Sequence, residues 1–386
     1  MRLRMQFLRW LPALALTWTA LGLLSPPSNP GRPLWPGARY TDRDRDTAIR
    51  RGLRVIYTAA TDARNFEEDG EDYLWCFYCI ASRSSDRELR SLALRMGQER
   101  ARQWRIDHPT VPPDASADDV RCLVFGSYAA DCLGVRDGKL KQALIDAVPR
   151  HRPEEYLEFD PTREPPPGDI PERCAKCGRY NKRGVRVCEK CGSPLTMRSP
   201  YSVLLEALTI TYSGDSAGVR LGGSLQDVTQ WLPAMRPYCG REEGTNQDWP
   251  DVLYAITHVI YTLNGYSHFR LRPEWLPDEF EFLRANLKET IDANDTEAAG
   301  EFLDTLKSFG LTEADPLLRR GIEFLLSRQN PDGSWGDPKA GDIYDRYHST
   351  WTAIDGLRDY AWRGEGVTSI EALRRARKKG TPVPAS

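Results

Sequence analysis

One segment, Arg320 to Trp335 (RGIEFLLSRQNPDGSW), constrains the fold of this chain more than any other. Ile322, Phe324, Leu325 and Leu326 give a helix a broad apolar face. Gln329 falls at the end of that helix, where the last carbonyls have no intrahelical partner and a side-chain amide can donate to them. Asn330-Pro331-Asp332-Gly333 is turn chemistry. Trp335 can then fold back on Gln329 and the last helical turn. In this reading Gln329, Gly333 and Trp335 form a clip that fixes an outer helix to the next element of a helical array.

The rest of the chain has the rhythm such an array needs. Apolar residues recur at helical spacing over Asp46–Ala60, Asp72–Ala81, Asp86–Arg105, Ala117–Cys132 and Leu140–Val148. The pattern resumes over Tyr201–Thr211, Leu225–Leu232, Pro250–Leu263, Pro277–Asp292, Thr296–Phe309, Pro316–Arg328 and Tyr347–Trp362. No segment alternates convincingly as a run of strands would. Asp248 and Asp315 stand as caps before early prolines, and Asn294 and Asp295 can cap the helix that Gly310 ends. A faint internal echo joins Arg50-Arg51-Gly52-Leu53 to Arg319-Arg320-Gly321-Ile322, each followed by an Asp-Gly element and an aromatic helix.

The clip resembles the QW repeat of squalene–hopene cyclases. The stretch after it, Asp345-Arg346-Tyr347-His348 through Trp351 to Gly356-Leu357, is similar to the D-x-Y-H segment of protein prenyltransferase β-subunits. The resemblance covers residues 316–362. It implies an all-α fold, the α/α toroid of the terpenoid cyclase and protein prenyltransferase superfamily, in which inner and outer helices alternate around a central cavity. In the prenyltransferases the histidine matching His348 is a zinc ligand. The superfamily's acid motifs are missing: there is no D-x-D-D, no D-x-C upstream of His348 and no convincing D-D-x-x-D. Its known chemistries therefore do not transfer.

Helix parity places a candidate site. If Pro316–Arg328 is outer, the helices starting at Pro250, Thr296 and Tyr347 are inner. His258, Glu297, Glu301 and His348 then lie on three successive inner helices, with Glu297 and Glu301 sharing one face. Two imidazoles and a carboxylate could hold a second metal ion with an open position, or serve as an acid–base set, or simply hydrogen-bond one another as buried polar groups. Tyr254, Tyr261, Tyr347 and Trp351 are candidates for the cavity wall or for ordinary core packing. The 11 Trp and 16 Tyr of the chain suit both.

Cys174-Ala-Lys-Cys177-Gly and Cys188-Glu-Lys-Cys191-Gly are two metal knuckles separated by ten residues. Four thiolates suit a tetrahedral structural Zn²⁺, with iron the alternative. A ribbon of this size gains its folding energy from the metal. Lys176, Arg179, Lys182, Arg183, Arg186 and Lys190 make it basic, as a solvated surface or as a contact for a nucleic acid or a protein partner. Cys76 and Cys79 in an aromatic helix read as buried core thiols, since no strand precedes them, with a redox-active C-x-x-C pair the alternative.

Arg2, Arg4 and Arg9 precede an apolar run from Trp10 to Leu24, which reads as a signal peptide or membrane anchor, or as an ordinary helix docked on the core. Export or anchoring through it is the first expectation. A cytoplasmic location, where thiolates stay reduced, is the alternative. The organisation that follows is an N-terminal segment 1–24, a linker 25–45, toroid helices 46–148, a linker 149–172, the zinc ribbon 173–195, further toroid helices 196–364 and a tail 365–386. A net charge of −2 gives no specific nucleic-acid signal. Two functions fit: an enzyme acting on an isoprenoid or other apolar substrate in the cavity, or a non-catalytic binding or scaffold protein that uses the ribbon for partner contact.

Overall fold

A computed structural model describes residues 40–241 and 246–377. The chain is mostly helical. The first helices are α1 (Asp42–Thr61), α2 (Ala63–Arg83), α3 (Arg87–Asp107), α4 (Ala117–Cys132), α5 (Gly138–Ala147) and α6 (Pro153–Leu157). Two short strands, β1 (Ile170–Pro171) and β2 (Met197–Arg198), pair antiparallel, Ile170 opposite Arg198, and bracket the four cysteines. Then come α7 (Pro200–Ala217), α8 (Leu225–Thr229), α9 (Leu232–Met235), α10 (Trp249–Asn264), α11 (Pro277–Asp292), α12 (Thr296–Ser308), α13 (Pro316–Arg328), α14 (Ile343–Leu357) and α15 (Ile370–Ala376).

Local chemistry explains most boundaries. Ser116 and Asp119 form a reciprocal capping box at the start of α4. Asp295 accepts from the Glu297 and Ala298 amides to start α12, and Asp315 accepts from the Leu317 amide to start α13. Asp248 precedes α10 but makes no side-chain cap bond, so there the early Pro250 alone carries the start signal. The Asp-Gly element at Asp69-Gly70 is not an open loop. The chain kinks at Asp69 (φ −131°, ψ 23°) and continues as helix, so α2 starts nine residues before the expected Asp72. The tail is not featureless either, because α15 packs on α8 and α9.

Packing sorts the helices into two sets. α2 packs on α4, α4 on α7, α7 on α10, α10 on α12, α12 on α14, and α14 returns to α2. The others lie against these: α1 on α14 and α2, α3 on α2 and α4, α5 on α4, α6 on α4 and α7, α11 on α12, and α13 on α12 and α14. Burial follows the same division. Every residue of α10 from Val252 to Asn264 and of α14 from Tyr347 to Leu357 is buried, whereas α11 and α13 bury one face only. The closest crossing is α12 against α14. A Cβ on Gly300 would stand 2.4 Å from the Thr352 carbonyl oxygen, so only glycine admits this approach.

The membrane expectation is corrected. No helix among the described residues is long and apolar enough to cross a membrane. The apolar segment 1–24 lies outside the described residues, as does most of the linker that follows it.

Candidate functional site

The clip closes as expected in outline and differs in its partners. The Trp335 indole N–H donates to the Leu325 carbonyl at 2.7 Å, taking the helix-end acceptor expected for Gln329. Gln329 instead donates to the Gly333 carbonyl at 3.0 Å and, across the chain, to the Ala48 carbonyl of α1 at 2.8 Å. Arg51 answers from α1 by donating to Gln329 Oε1 at 3.1 Å. Gly52 makes room, since a Cβ there would meet the Trp335 ring at 2.8 Å. The clip therefore joins the end of α13 to α1, and it seats α14 behind it.

α2, α4, α7, α10, α12 and α14 all contribute to one cavity, which encloses about 780 Å³ of atom-free space, the solvent in its mouth included. His258, Glu301 and His348 are in its lining, with Tyr261 and Trp351 from the expected wall. Tyr254 and Tyr347 are buried beside the cavity and not in its lining. Tyr347 turns toward α2, where its hydroxyl donates to Asp72 at 2.8 Å and its ring packs on Tyr73. Glu297 also sits behind the lining, in an ion pair with His348 at 3.1 Å between Oε1 and Nδ1.

The polar groups differ sharply in charge state. Burial opposes a charged ring at His348, but Glu297 outweighs it, with Asp72 and Glu301 adding, and the imidazole is pushed up to about 9. Burial also pushes Glu297 up, but His348 and the hydroxyls of Tyr254 and Ser349 hold its carboxyl below the ordinary value. His258 goes the other way. Burial, reinforced by the charge on His348, lowers it to about 4. Its Nδ1–H donates to the Tyr254 carbonyl at 2.8 Å, which assigns the lone pair to Nε2. Glu301 accepts from the Thr257 hydroxyl at 2.5 Å, and burial raises its carboxyl to about 8. These shifts favour a protonated His348, a neutral His258 and a protonated Glu301 near neutral pH.

The second-metal expectation is corrected by this geometry. Among the described residues, the group of three or more His, Cys, Asp or Glu side chains with donor atoms within 4.8 Å of one another is Cys174, Cys177, Cys188 and Cys191. His258, Glu297, Glu301 and His348 do not form such a group. The four cysteines do. Their sulfurs stand in two facing pairs at 3.5 Å, near the ~3.8 Å separation that four thiolates take around a tetrahedral ion. Gly178 and Gly192, each at positive φ, return their amides to the Cys174 and Cys188 carbonyls.

The lining also includes residues that the sequence reading did not single out: Asp72 and Trp75 on α2, Arg121 and Phe125 on α4, Asp304 on α12, and Asp355 on α14. The signal was present. Asp304 follows Glu301 by three residues, and Trp351, Thr352 and Asp355 follow His348 by three, four and seven, which is one helix face. Cys79 reaches the lining on the same face as Asp72 and Trp75, and burial pushes its thiol well above the ordinary value. Comparison with known proteins returns no matching family model, no matching curated protein and no matching solved structure. The functional reading therefore rests on the geometry of the site.

Proposed function

We propose that the chain is an α/α-toroid enzyme that binds an apolar molecule of isoprenoid type in its central cavity and moves a proton on it. The cyclic packing order of α2, α4, α7, α10, α12 and α14, with the other helices against them, supports the toroid. The observation that carries the activity is the coexistence of a neutral acid, Glu301, and a neutral imidazole, His258, facing one cavity lined by Trp75, Phe125, Tyr261 and Trp351.

These two groups supply the proton acceptor and the proton donor that a shift of a double bond needs. A proton leaves an allylic carbon for Nε2 of His258, and its electron pair becomes the new double bond. The pair of the old double bond takes the proton of Glu301. Nothing is oxidised or reduced. His348, held cationic by Glu297, fixes a positive charge beside the developing negative one in a dry site. Zn²⁺ in the four-cysteine ribbon would be structural, since the protein fills all four positions.

The test is the change in intrinsic tryptophan fluorescence, to which Trp75 and Trp351 contribute from the cavity lining, during titration with an isoprenoid polyene, followed by deuterium uptake into the polyene in heavy water. The enzyme reading expects binding and uptake, with uptake lost in Glu301→Gln while binding persists. Binding without uptake in the wild type supports a second reading, a binding or scaffold protein whose ribbon docks a partner. The missing acid motifs of the superfamily favour that second reading.

A further inference from the structure

The cavity has a second polar end that this proton transfer leaves unused. On α14, Asp355 lies seven residues below His348, two helical turns or ~10 Å away. On α12, Asp304 lies one turn below Glu301. Trp351 lies between the two levels, its ring against His348 above and its indole beside Asp355 below, and Trp75 and Phe125 add apolar surface to the same lining.

The lower layer is built, not incidental. Asp355 pairs with Arg358 at 2.6 Å, and both are buried. Arg358 also donates to Ser84 at 3.1 Å and lies 4.3 Å from the centre of the Tyr360 ring. Asp304 accepts from Ser267 at 2.7 Å, and burial together with Asp355 pushes its carboxyl up to about 7. Asp304, Asp355 and Arg358 all reach the cavity lining. Lys307 is buried beside them, donating to the Gly356 and Arg358 carbonyls, so the two carboxyls of the floor face two cations and its formal charges are already matched.

We infer that this floor receives a neutral oxygen function, a hydroxyl or carbonyl, at the far end of the apolar molecule that the cavity binds. The inference rests on the cavity reading above and adds the class of its ligand. A carboxylate or ammonium would be desolvated beside charges that are already paired, at a large cost. A hydrocarbon end would cover Asp304 and Arg358 without replacing their hydration. A hydroxyl both accepts from Arg358 and exchanges a hydrogen bond with Asp304. Sites built to hydrogen-bond a ligand oxygen discriminate against the analogue lacking it.

The experiment titrates the full chain with farnesol, the saturated hydrocarbon farnesane and farnesoic acid, reading Trp fluorescence. Farnesol is expected to bind about tenfold more tightly than farnesane, the worth of one hydrogen bond near 1.4 kcal/mol, with farnesoic acid weakest. Asp355→Asn leaves Arg358 unmatched, so the order should invert in favour of farnesoic acid. The wild-type order tests the inference even if that variant fails to fold. Equal binding of farnesol and farnesane, or tightest binding of the acid by wild type, overturns the inference and leaves the cavity reading standing. Binding of none of the three overturns both.

Discussion

The indole of Trp335 and the carbonyl of Leu325 meet at 2.7 Å, and this bond turns the chain out of α13 and into the connection that leads to α14. Trp335 is fully buried, packed against the close-approach position of Gly52. Trp335→Ala should therefore cost about 3–5 kcal/mol, the range for deleting a large aromatic from a core. Gln329→Ala should cost about 1–3 kcal/mol by stripping the donor from the Ala48 carbonyl. Urea unfolding of both variants checks the order. A Trp335 variant as stable as wild type would remove the clip from the account of the fold.

Gly300 should tolerate no side chain. Its missing Cβ would face the Thr352 carbonyl oxygen at 2.4 Å and the Ala353 nitrogen at 2.9 Å, both backbone atoms that cannot swing away. Gly300→Ala is expected to push α12 from α14 and to destabilise by about 1–3 kcal/mol. Because Glu297 and His348 sit on these two helices, the same change should loosen their ion pair. The imidazole titration of His348 by NMR, moved back toward 6.5 from about 9, is the matching readout.

Stability should fall as pH rises through the neutral range. The folded His348 binds its proton up to about 9 against an ordinary 6.5, so its contribution is complete below 6.5 and lost as pH passes 9. It is worth at most about 3 kcal/mol for a shift of this size. Glu297, depressed from 4.5, contributes above 4.5 and loses its share as pH falls through its lowered value. Glu301, raised from 4.5 to about 8, adds to the alkaline loss, because the unfolded chain releases that proton first. Glu301→Gln should thus be more stable than wild type near pH 8, with a shallower slope between 4.5 and 8. Denaturant midpoints measured across this range decide it. A flat wild-type profile would contradict the assigned charge states.

Purified wild-type chain should carry zinc at one ion per four-cysteine cluster, and Cys188→Ser should lose it. The amides of Gly178 and Gly192, which are bonded to the Cys174 and Cys188 carbonyls, should then exchange with solvent much faster. The helical circular dichroism should change little, since the ribbon holds no helix. Elemental analysis and hydrogen exchange read the two effects separately. A metal-free wild type with slow exchange at both glycines would overturn the metal assignment.

The sequence made much of this legible where one local rule dominates. α4, α11 and α13 have the expected boundaries because a cap or an early proline fixes each start. His258, Glu301 and His348 were reachable because the clip sets which helices face inward and the helical period sets which residues face the cavity. The rest depended on contacts made far along the chain. The Asp69-Gly70 pair looked like a break before a helix at Asp72, and packing on α1, α3, α4 and α14 carries α2 through it with only a kink at Asp69. Tyr347 is adjacent to His348, yet a step of one residue on a helix turns the side chain away, here toward Tyr73. Arg358 lies past the end of α14, and no periodicity announces that it returns to Asp355.

The bond from Gln329 to Ala48 reaches across 281 residues. Synthesis therefore delivers α1 long before the residue that locks it, and α14, which α1 packs against, emerges later still. Until then the growing chain leaves open the apolar faces of α1 and α2 that α14 later covers. Such long-range closure is slow and leaves greasy surface open to wrong neighbours. Variants of the clip should accordingly give a lower soluble yield from the cell than wild type, with the difference recovered as aggregate.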